Sequence, residues 1–253
     1  MTTMNVGLYQ AAAALDVNSR WQEMVAENLA SSSLPGYKRQ ELTQAAVQAG
    51  LMPAGSQSKR GAPQAFVIPQ ANTAINFQPG QMKATGGATD VAIDGKGFFS
   101  VELPTGQTLF TRDGEFHVNA AGGLVTNEGY AVMGQSGAIQ LDKSNHGPVS
   151  ISSTGQVSQG ANLKGKLKLT DFDNPNLLTQ AAGSYFMAND PNIRQIATTA
   201  TVRSGYIEGS NVSTISQMTS LLSAMRGYET NQKVIQMEND RMSHSIADLG
   251  NPT

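Results

Sequence analysis

Residues 211–249 read NVSTISQMTSLLSAMRGYETNQKVIQMENDRMSHSIADL, and this segment decides the fold class. Two sets of positions repeat every seven residues along it, and each position of the second set comes three residues before one of the first set. The first set is Leu221, Tyr228, Ile235, Met242 and Leu249, and the second is Met218, Met225, Gln232, Asn239 and Ile246. A narrow apolar pattern sustained over five heptads predicts a long helix that packs against a partner helix.

Two polar residues, Gln232 and Asn239, interrupt this predicted seam. A polar residue at such a position fixes the register of helix packing at some cost in stability. Gly250 and Pro252 predict the end of the helix. The alternative is an ordinary amphipathic helix in a globular core, but the narrowness of the seam argues against it.

The N-terminal segment predicts a second long helix, from Met4 to about Ser32. Four consecutive alanines, Ala11 to Ala14, have high helix propensity, and Leu34-Pro35-Gly36 predicts the end of the helix. Apolar residues again follow a seven-residue grid, with Gln22 at the missing step and Val25 beside it; they are Leu8, Leu15 and Leu29. We therefore expect the two terminal helices to pack together.

The middle of the chain has a different pattern. From residue 90 to about 190, turn signals such as Asp94-Gly95-Lys96-Gly97 recur every eight to ten residues, which is typical of successive antiparallel hairpins. The predicted strands are Phe98–Val101, Thr108–Phe110, Phe116–Val118, Val149–Ile151 and Leu163–Leu169, and 171–182 is predicted to be a loop or a short helical turn. Residues 41–90 contain four prolines and at most two short strands, near 66–68 and 75–77, and predict an extended arm.

These patterns predict an α+β fold, in which long N- and C-terminal helices pack as a coiled coil and enclose an inserted, mainly antiparallel β domain. The predicted divisions are 1–36 with 205–253 as the helical domain, 37–89 as an extended arm or linker, and 90–204 as the β domain.

Composition argues against several classes of function. The chain has 17 basic and 19 acidic residues, so no positive excess is available to neutralise nucleic-acid phosphates. The absence of cysteine excludes disulfides and thiolate metal sites. No run of 18 apolar residues predicts membrane insertion, and the N-terminus lacks the basic and apolar regions of a secretory signal.

Catalytic patterns are also missing. The three histidines, His117, His146 and His244, are scattered, and no Gly-x-Ser-x-Gly elbow occurs. Asp171 and Asp173 could in principle form an acidic pair, but a solvated loop accounts for them better. Asn211 is expected to cap the C-terminal helix. The sequence therefore predicts no enzyme activity, cofactor or metal site.

Three segments resemble the signatures of bacterial flagellar rod and hook proteins. They are Val25-Ala26-Glu27-Asn28-Leu29-Ala30 with Pro35-Gly36-Tyr37-Lys38-Arg39; Asp90-Val91-Ala92-Ile93 with Gly97-Phe98-Phe99 and Phe110-Thr111-Arg112-Asp113-Gly114; and Gly205-Tyr206, Glu208, Ser210-Asn211-Val212 with Met218, Arg226 and Tyr228-Glu229. The segments stand at both ends and in the middle, in the order that the family shows. The chain is therefore similar to that family over most of its length.

The resemblance implies a structural subunit of the flagellar rod that assembles through its terminal helices into a torque-transmitting axial tube. The expected seam residues are Leu8, Leu15, Val25, Leu29, Met218, Leu221, Met225, Tyr228, Gln232, Ile235, Asn239, Met242 and Ile246. The resemblance also implies that the partners are copies of the chain, other rod subunits, hook and ring proteins, and the flagellar type III export apparatus. It implies a location in the basal body, in the part of the rod that spans the periplasm.

Two alternatives stay open. The length near 250 residues favours a proximal-rod over a distal-rod member. A protein of another class, a coiled-coil-tethered β domain that binds the cell wall or a protein, should show a pocket with convergent polar groups. A rod subunit should instead polymerise through its ends.

Overall fold

The computed structural model describes residues 2–52, 64–144, 147–196 and 198–250 of the 253-residue chain. Its contacts divide the chain into two units. The first, the helical unit, comprises Met1–Leu29, Gln40–Ala74 and Ser213–Thr253, and the second, the β unit, comprises Ala30–Arg39 and Ile75–Val212. Each unit is therefore built from segments that are distant in the sequence.

The helical unit contains two long helices and a two-stranded sheet. Helix α1 spans Thr2–Ala30 and helix α2 spans Thr214–Gly250, while strands β1 (Gln40–Met52) and β2 (Gln64–Ile75) pair with each other. The end of α1 is tied to the start of β1, because the side-chain amide of Asn28 donates to the Gln40 carbonyl at 2.9 Å and accepts from the Gln40 N–H at 2.9 Å.

The predicted coiled coil is wrong. Among the described residues, α1 and α2 are not shown as a long coiled-coil pair. The two helices approach each other where the Gln22 amide donates to the Ala224 carbonyl at 3.2 Å and, about one turn away, a Cβ on Gly227 would lie 3.2 Å from Asn18 Oδ1. A heptad pattern predicts that a helix face is covered but does not identify the covering element, and polar side chains at the approach favour a local contact over a continuous apolar seam.

The segment after α1 contains more strand than predicted. Strands β1 and β2 are 13 and 12 residues long, whereas the sequence predicted short strands near 66–68 and 75–77. Pro69 lies inside β2, and proline is tolerated there because both strands of a two-stranded sheet are edge strands. Proline content therefore misled the prediction for this segment.

The β unit consists of seventeen short strands among the residues that the structure describes, with one 3₁₀ turn. The strands are β3 (Met82–Ala84), β4 (Val91–Asp94), β5 (Phe98–Glu102), β6 (Thr108–Thr111), β7 (His117–Val118), β8 (Leu124–Val125), β9 (Ala131–Gly134), β10 (Gly137–Ala138), β11 (Val149–Ile151), β12 (Gln156–Gln159), β13 (Asn162–Lys166), β14 (Leu169–Phe172), β15 (Thr179–Ala182), β16 (Tyr185–Met187), β17 (Gln195–Ile196), β18 (Thr201–Ser204) and β19 (Tyr206–Glu208). The segment 171–182, predicted to be a loop or helical turn, holds the end of β14, the 3₁₀ turn Pro175–Leu177 and β15.

One large sheet dominates the β unit. Its main path runs β15-β16-β6-β5-β9-β8-β7, with β10 on β9 and with β14 pairing both β5 and β17. A three-stranded sheet has the order β11-β12-β13, and the pairs β18–β4 and β19–β3 are separate. All recorded pairings in the β unit are antiparallel. The last two pairings bring 201–208 back against segments that begin the unit.

Two apolar clusters form the interior of the β unit. The larger cluster includes Val91, Phe99, Val101, Leu124 and Val132, all at most 1% exposed. The smaller is mainly aromatic and consists of Phe98, Phe110, Phe172, Leu178 and Phe186, with Ile75, Phe77, Ala188 and Ile193 at its margin. Edge-to-face contacts join its rings, as between Phe110 and Phe172 at 4.8 Å. No helix among the described residues is long and apolar enough to cross a membrane.

Candidate functional site

The three segments that carry the family resemblance meet inside the β unit. The Gly36 N–H donates to the Glu208 carbonyl at 2.8 Å, and the Asn211 N–H donates to the Tyr37 carbonyl at 3.4 Å. A Cβ placed on Gly36 would lie 2.2 Å from the backbone nitrogen of Asp113. The segment before β1, the turn after β6 and the segment after β19 are therefore in direct contact.

A buried ion cluster lies at this meeting point. Lys38 Nζ is 2.5 Å from Glu208 Oε1, and Arg112 Nη1 is 3.2 Å from Glu208 Oε2. The three side chains are 1%, 7% and 1% exposed for Lys38, Arg112 and Glu208 respectively. We call these three residues the junction triad; each comes from a different one of the three segments.

Further hydrogen bonds fix the triad in place. Lys38 Nζ donates to the Gln78 carbonyl at 2.9 Å, and the Gly80 N–H donates to Glu208 Oε1 at 2.9 Å. Arg112 Nη2 donates to the Gly95 carbonyl at 2.8 Å, and its guanidinium carbon lies 5.4 Å from the centre of the Phe98 ring. The triad therefore also holds the segments before β3 and after β4.

The two cations share one carboxylate. Burial lowers the pKa of Lys38 and of Arg112, and the attraction and hydrogen bond of Glu208 oppose that shift. Removing Glu208 would leave two buried cations without their counter-charge, which is among the costly changes inside a protein. The triad therefore makes a specific connection whose components depend on one another.

Asn211 makes a second connection at the same place. Its Oδ1 accepts from the Arg39 N–H at 2.7 Å, and its Nδ2 donates to the Asn76 and Gln78 carbonyls at 2.8 and 3.0 Å. The capping role predicted for Asn211 is wrong, because α2 begins at Thr214, and the Asn211 side chain binds other segments. The chain thus enters and leaves the β unit at one cross-linked point, which we call the junction.

Asp113 lies beneath the Gly36 turn and is 5% exposed. Its Oδ1 accepts from the Glu115 N–H at 3.0 Å. Burial raises the pKa of Asp113 to about 7, with a smaller contribution from the negative charges of Glu115, Glu128 and Asp90. The junction therefore packs against a buried carboxyl group, that of Asp113, with a pKa near neutral pH.

The predicted seam residues occupy several environments rather than one face. Val25 is buried, Leu15 and Leu29 are half-buried, and so are four residues of α2: Leu221, Tyr228, Ile235 and Met242. The other α2 grid is exposed: Met218, Met225, Gln232 and Asn239. The side chains of Leu8 and Ile246 lie outside the part that the structure describes. The role of these residues in contacts between subunits stays a prediction.

An exposed apolar stripe runs along the first turns of α2. It comprises Ile215, Met218, Leu222 and Met225, which are 79%, 55%, 57% and 48% exposed. Their spacing of three, four and three residues places them on one helix face. We call this face the α2 stripe. The sequence reasoning missed Ile215 and Leu222, although their spacing to Met218 and Met225 carried the signal.

The same face becomes polar further along α2, at the exposed residues Glu229, Gln232 and Gln236. Gln217 and Ala224, on a different face, are buried at 7% and 0%. An apolar face that is left exposed while another face of the same helix is covered is typical of a surface that meets a partner. The described residues contain no group of three or more His, Asp and Glu side chains placed to hold a metal ion.

Comparisons with known proteins match the two regions that hold most of the junction. Residues 92–159, which include Arg112, match the family described as the flagellar hook protein FlgE/F/G D1 domain. Residues 203–248, which include Glu208 and the α2 stripe, match the flagellar basal body rod FlgEFG protein C-terminal family.

Whole-chain relatives agree with these matches. The chain is 31% identical over 250 residues to the flagellar basal-body rod protein FlgF of Caulobacter vibrioides, covering 98% of this chain and 99% of that one. It is 33% identical over 258 residues to FlgG of Agrobacterium fabrum, covering 89% and 92%, and 29% identical over 265 residues to FlgG of Buchnera aphidicola, covering 96% and 98%. The chain belongs to the flagellar basal-body rod protein family and is a structural rod subunit, not an enzyme.

Proposed function

We propose that the chain assembles with neighbouring rod subunits through its two helices, as part of a torque-transmitting axial tube. The observation that carries this proposal is the α2 stripe, four large apolar side chains that stay exposed on a long helix. Covering such a stripe removes apolar surface from water, which favours association. A contact that repeats head to tail without closing builds a filament.

The predicted seam residues keep their role in contacts between subunits in this proposal, whereas the predicted domain bounds change. The predicted divisions 1–36 with 205–253, 37–89 and 90–204 are adjusted to the units of the structure, because 30–36, 75–89 and 205–212 belong to the β unit; the tube contacts are assigned to the helical unit. Gln232 and Asn239 resist slippage in register, because sliding an apolar neighbour over a polar side chain leaves that side chain without a hydrogen-bond partner. The apolar contacts supply affinity and the polar ones supply register.

The junction explains how the β unit could share the load. The segments 30–39 and 208–212 continue directly into the two helices, and both are held against the turn after β6 by the junction triad and Asn211. A force that reaches the β unit through either segment therefore acts on a cross-linked point. Many coordinated hydrogen bonds and two ion pairs oppose separation of the segments there.

The finer assignments belong to the same proposal. The chain is assigned to the proximal rod, with the distal rod as the alternative, because its length of 253 residues favours the proximal member. Relatives named FlgF and FlgG are similarly close and do not separate the two. Its partners are copies of itself, other rod subunits, and hook and ring proteins, and it reaches the periplasm-spanning part of the basal body through the flagellar type III export apparatus.

The α2 stripe is tested by Leu222→Asp, with Gln236→Asp as the matched control. Both residues are exposed on the same face of α2, but only Leu222 lies in the apolar part. We expect Leu222→Asp to abolish incorporation into rods while leaving the thermal unfolding of the purified chain unchanged, because the charge would have to be desolvated only in the assembly. Gln236→Asp should assemble.

The measurement is the amount of the chain in isolated basal bodies, together with swimming in soft agar. Normal incorporation of Leu222→Asp would refute the stripe as an assembly surface. Equal loss with Gln236→Asp would show that added negative charge, rather than loss of the apolar contact, is responsible.

A further inference from the structure

The β unit has a pocket that its own residues leave open. Its volume is about 240 Å³, and its walls come from the segment before β3, the turn before β5 and the segment that follows β14. Three phenylalanines, Phe77, Phe98 and Phe172, form the apolar wall, and Ile196 at the margin is 44% exposed. Pockets for small molecules usually measure about 300–1,000 Å³, so this size suits one inserted side chain better.

One polar atom in the wall has no partner. Arg112 lines the pocket with a side chain that is 7% exposed, and its Nη1 and Nη2 bind Glu208 and the Gly95 carbonyl. Its Nε is buried and makes no hydrogen bond. A buried donor without an acceptor is costly, so this lining residue is not fully satisfied within the β unit.

The charges at the rim select the kind of ligand. Arg112 is already paired with Glu208, so the rim consists of Lys96, Asp171 and Asp173 and carries one net negative charge. An anion is therefore disfavoured. The fitting ligand is an apolar side chain on a peptide that also carries positive charge and backbone carbonyls.

The chain presents such a peptide at strand β13. Leu163 is 63% exposed, and Lys164 and Lys166 follow it closely in the same strand. β13 ends its three-stranded sheet, and a bulge at Lys164 breaks the regular alternation of side chains there. An exposed leucine on an edge strand is a liability unless something covers it.

We infer that the pocket receives Leu163 of a neighbouring copy of the chain, so that β units connect head to tail. Leu163 lies in the three-stranded sheet β11-β12-β13, whereas the strand residues that line the pocket come from β5, β14 and β17 of the large sheet. The inserted side chain, Leu163, and the pocket thus lie at separate places on one β unit, as a head-to-tail contact requires. The inference rests on the proposed rod assembly and adds a second contact, made by the β unit.

The chain has no cysteine, so an introduced pair can be read without background. The test uses Leu163→Cys with Ile196→Cys in a strain that carries no other copy of the gene. Basal bodies are isolated, oxidised and run on a non-reducing gel. We expect a ladder of disulfide-linked multimers, because a disulfide forms only when two Cα atoms approach within about 7 Å.

The control pair is Val118→Cys with Ile196→Cys, since Val118 is also exposed in the β unit, at 41%. Rods that contain the Leu163 pair but give no ladder, or give one no stronger than the control, would overturn the inference and leave the rod assembly standing. Absence of the unaltered chain from rods would instead refute the proposed function.

A second comparison covers the case in which the cysteine pair does not assemble. Leu163→Met keeps an apolar side chain at this position, and the strain should swim. The Leu163→Asp strain should not swim, although thermal unfolding of the purified variant should be unchanged. Equal swimming of the two variants would overturn the inference.

Discussion

Replacing Glu208 with glutamine is expected to lower the free energy of unfolding of the β unit by about 3–5 kcal/mol. The carboxylate is 1% exposed and bonds Lys38 through one oxygen and Arg112 through the other. A glutamine can accept from only one of the two cations and must turn its NH₂ group toward the other. Both cations then stay buried without a counter-charge, whereas ordinary surface pairs contribute only about 0–1 kcal/mol.

The measurement is chemical denaturation followed by far-UV circular dichroism. Glu102→Gln is the control, because Glu102 is half-exposed on β5, and we expect a change within about 0.5 kcal/mol there. In a Lys38→Met background, Glu208→Gln should cost less, since only Arg112 is then left without its partner. If Glu208→Gln alone lowered the free energy of unfolding by less than about 1 kcal/mol, the junction triad would contribute no more than surface ion pairs do. That result would contradict its role as the connection between the three segments.

Gly36→Ala is expected to separate the segment before β1 from the turn after β6. Gly36 has φ 67°, where alanine costs about 1–2 kcal/mol. Its Cβ would also lie 2.2 Å from Asp113 N and 2.4 Å from Arg112 C, both backbone atoms that cannot turn aside. Overpacking of this kind adds about 1–3 kcal/mol or more.

Gly86→Ala is the matched control for that change. Gly86 has a similar φ of 73°, and nothing lies within 4 Å of a Cβ placed there. Both variants carry the same backbone strain, and only Gly36→Ala adds the clash. Denaturation midpoints should therefore fall much further for Gly36→Ala. Equal midpoints would show that the Gly36 turn is not held against the Asp113 backbone.

The positions of the two helices could be predicted from sequence because propensity and breakers are local. The helix expected from Met4 to about Ser32 is Thr2–Ala30, and the one expected from 211 to 249 is Thr214–Gly250. How the two helices pack could not be predicted in the same way, and the predicted coiled coil was wrong. Periodicity describes one helix at a time, whereas the contact at Gln22 and Ala224 depends on the whole unit.

The junction triad was beyond sequence reasoning for a related reason. Lys38 and Glu208 are 170 residues apart, and Arg112 and Glu208 are 96 apart, so no local spacing connects them. A charged residue is normally assigned to the surface. The available signal was indirect: all three charges stand inside the family signatures of a chain with only 14% charged residues.

The presence of a pocket does not by itself distinguish a rod subunit from a β domain that binds the cell wall or a protein. A pocket with a polar group was expected of a binding module, yet the β unit has one lined by Arg112, Asp171 and three phenylalanines. Membership of the rod family rests on the aligned length and identity of relatives, not on the absence of a pocket. Its volume of about 240 Å³ fits a neighbouring side chain, which is compatible with assembly.

The central claim is that the α2 surface is completed only by neighbouring subunits. Hydrogen exchange, compared between the purified chain and isolated rods, tests it most directly. We expect amides of the buried strands β4, β5 and β9 to be protected in both. Amides of 214–244 should exchange quickly in the purified chain but slowly in rods, because a helix with an uncovered apolar face opens readily. Equal protection of 214–244 in both samples would contradict the claim, since α2 would then need no neighbour.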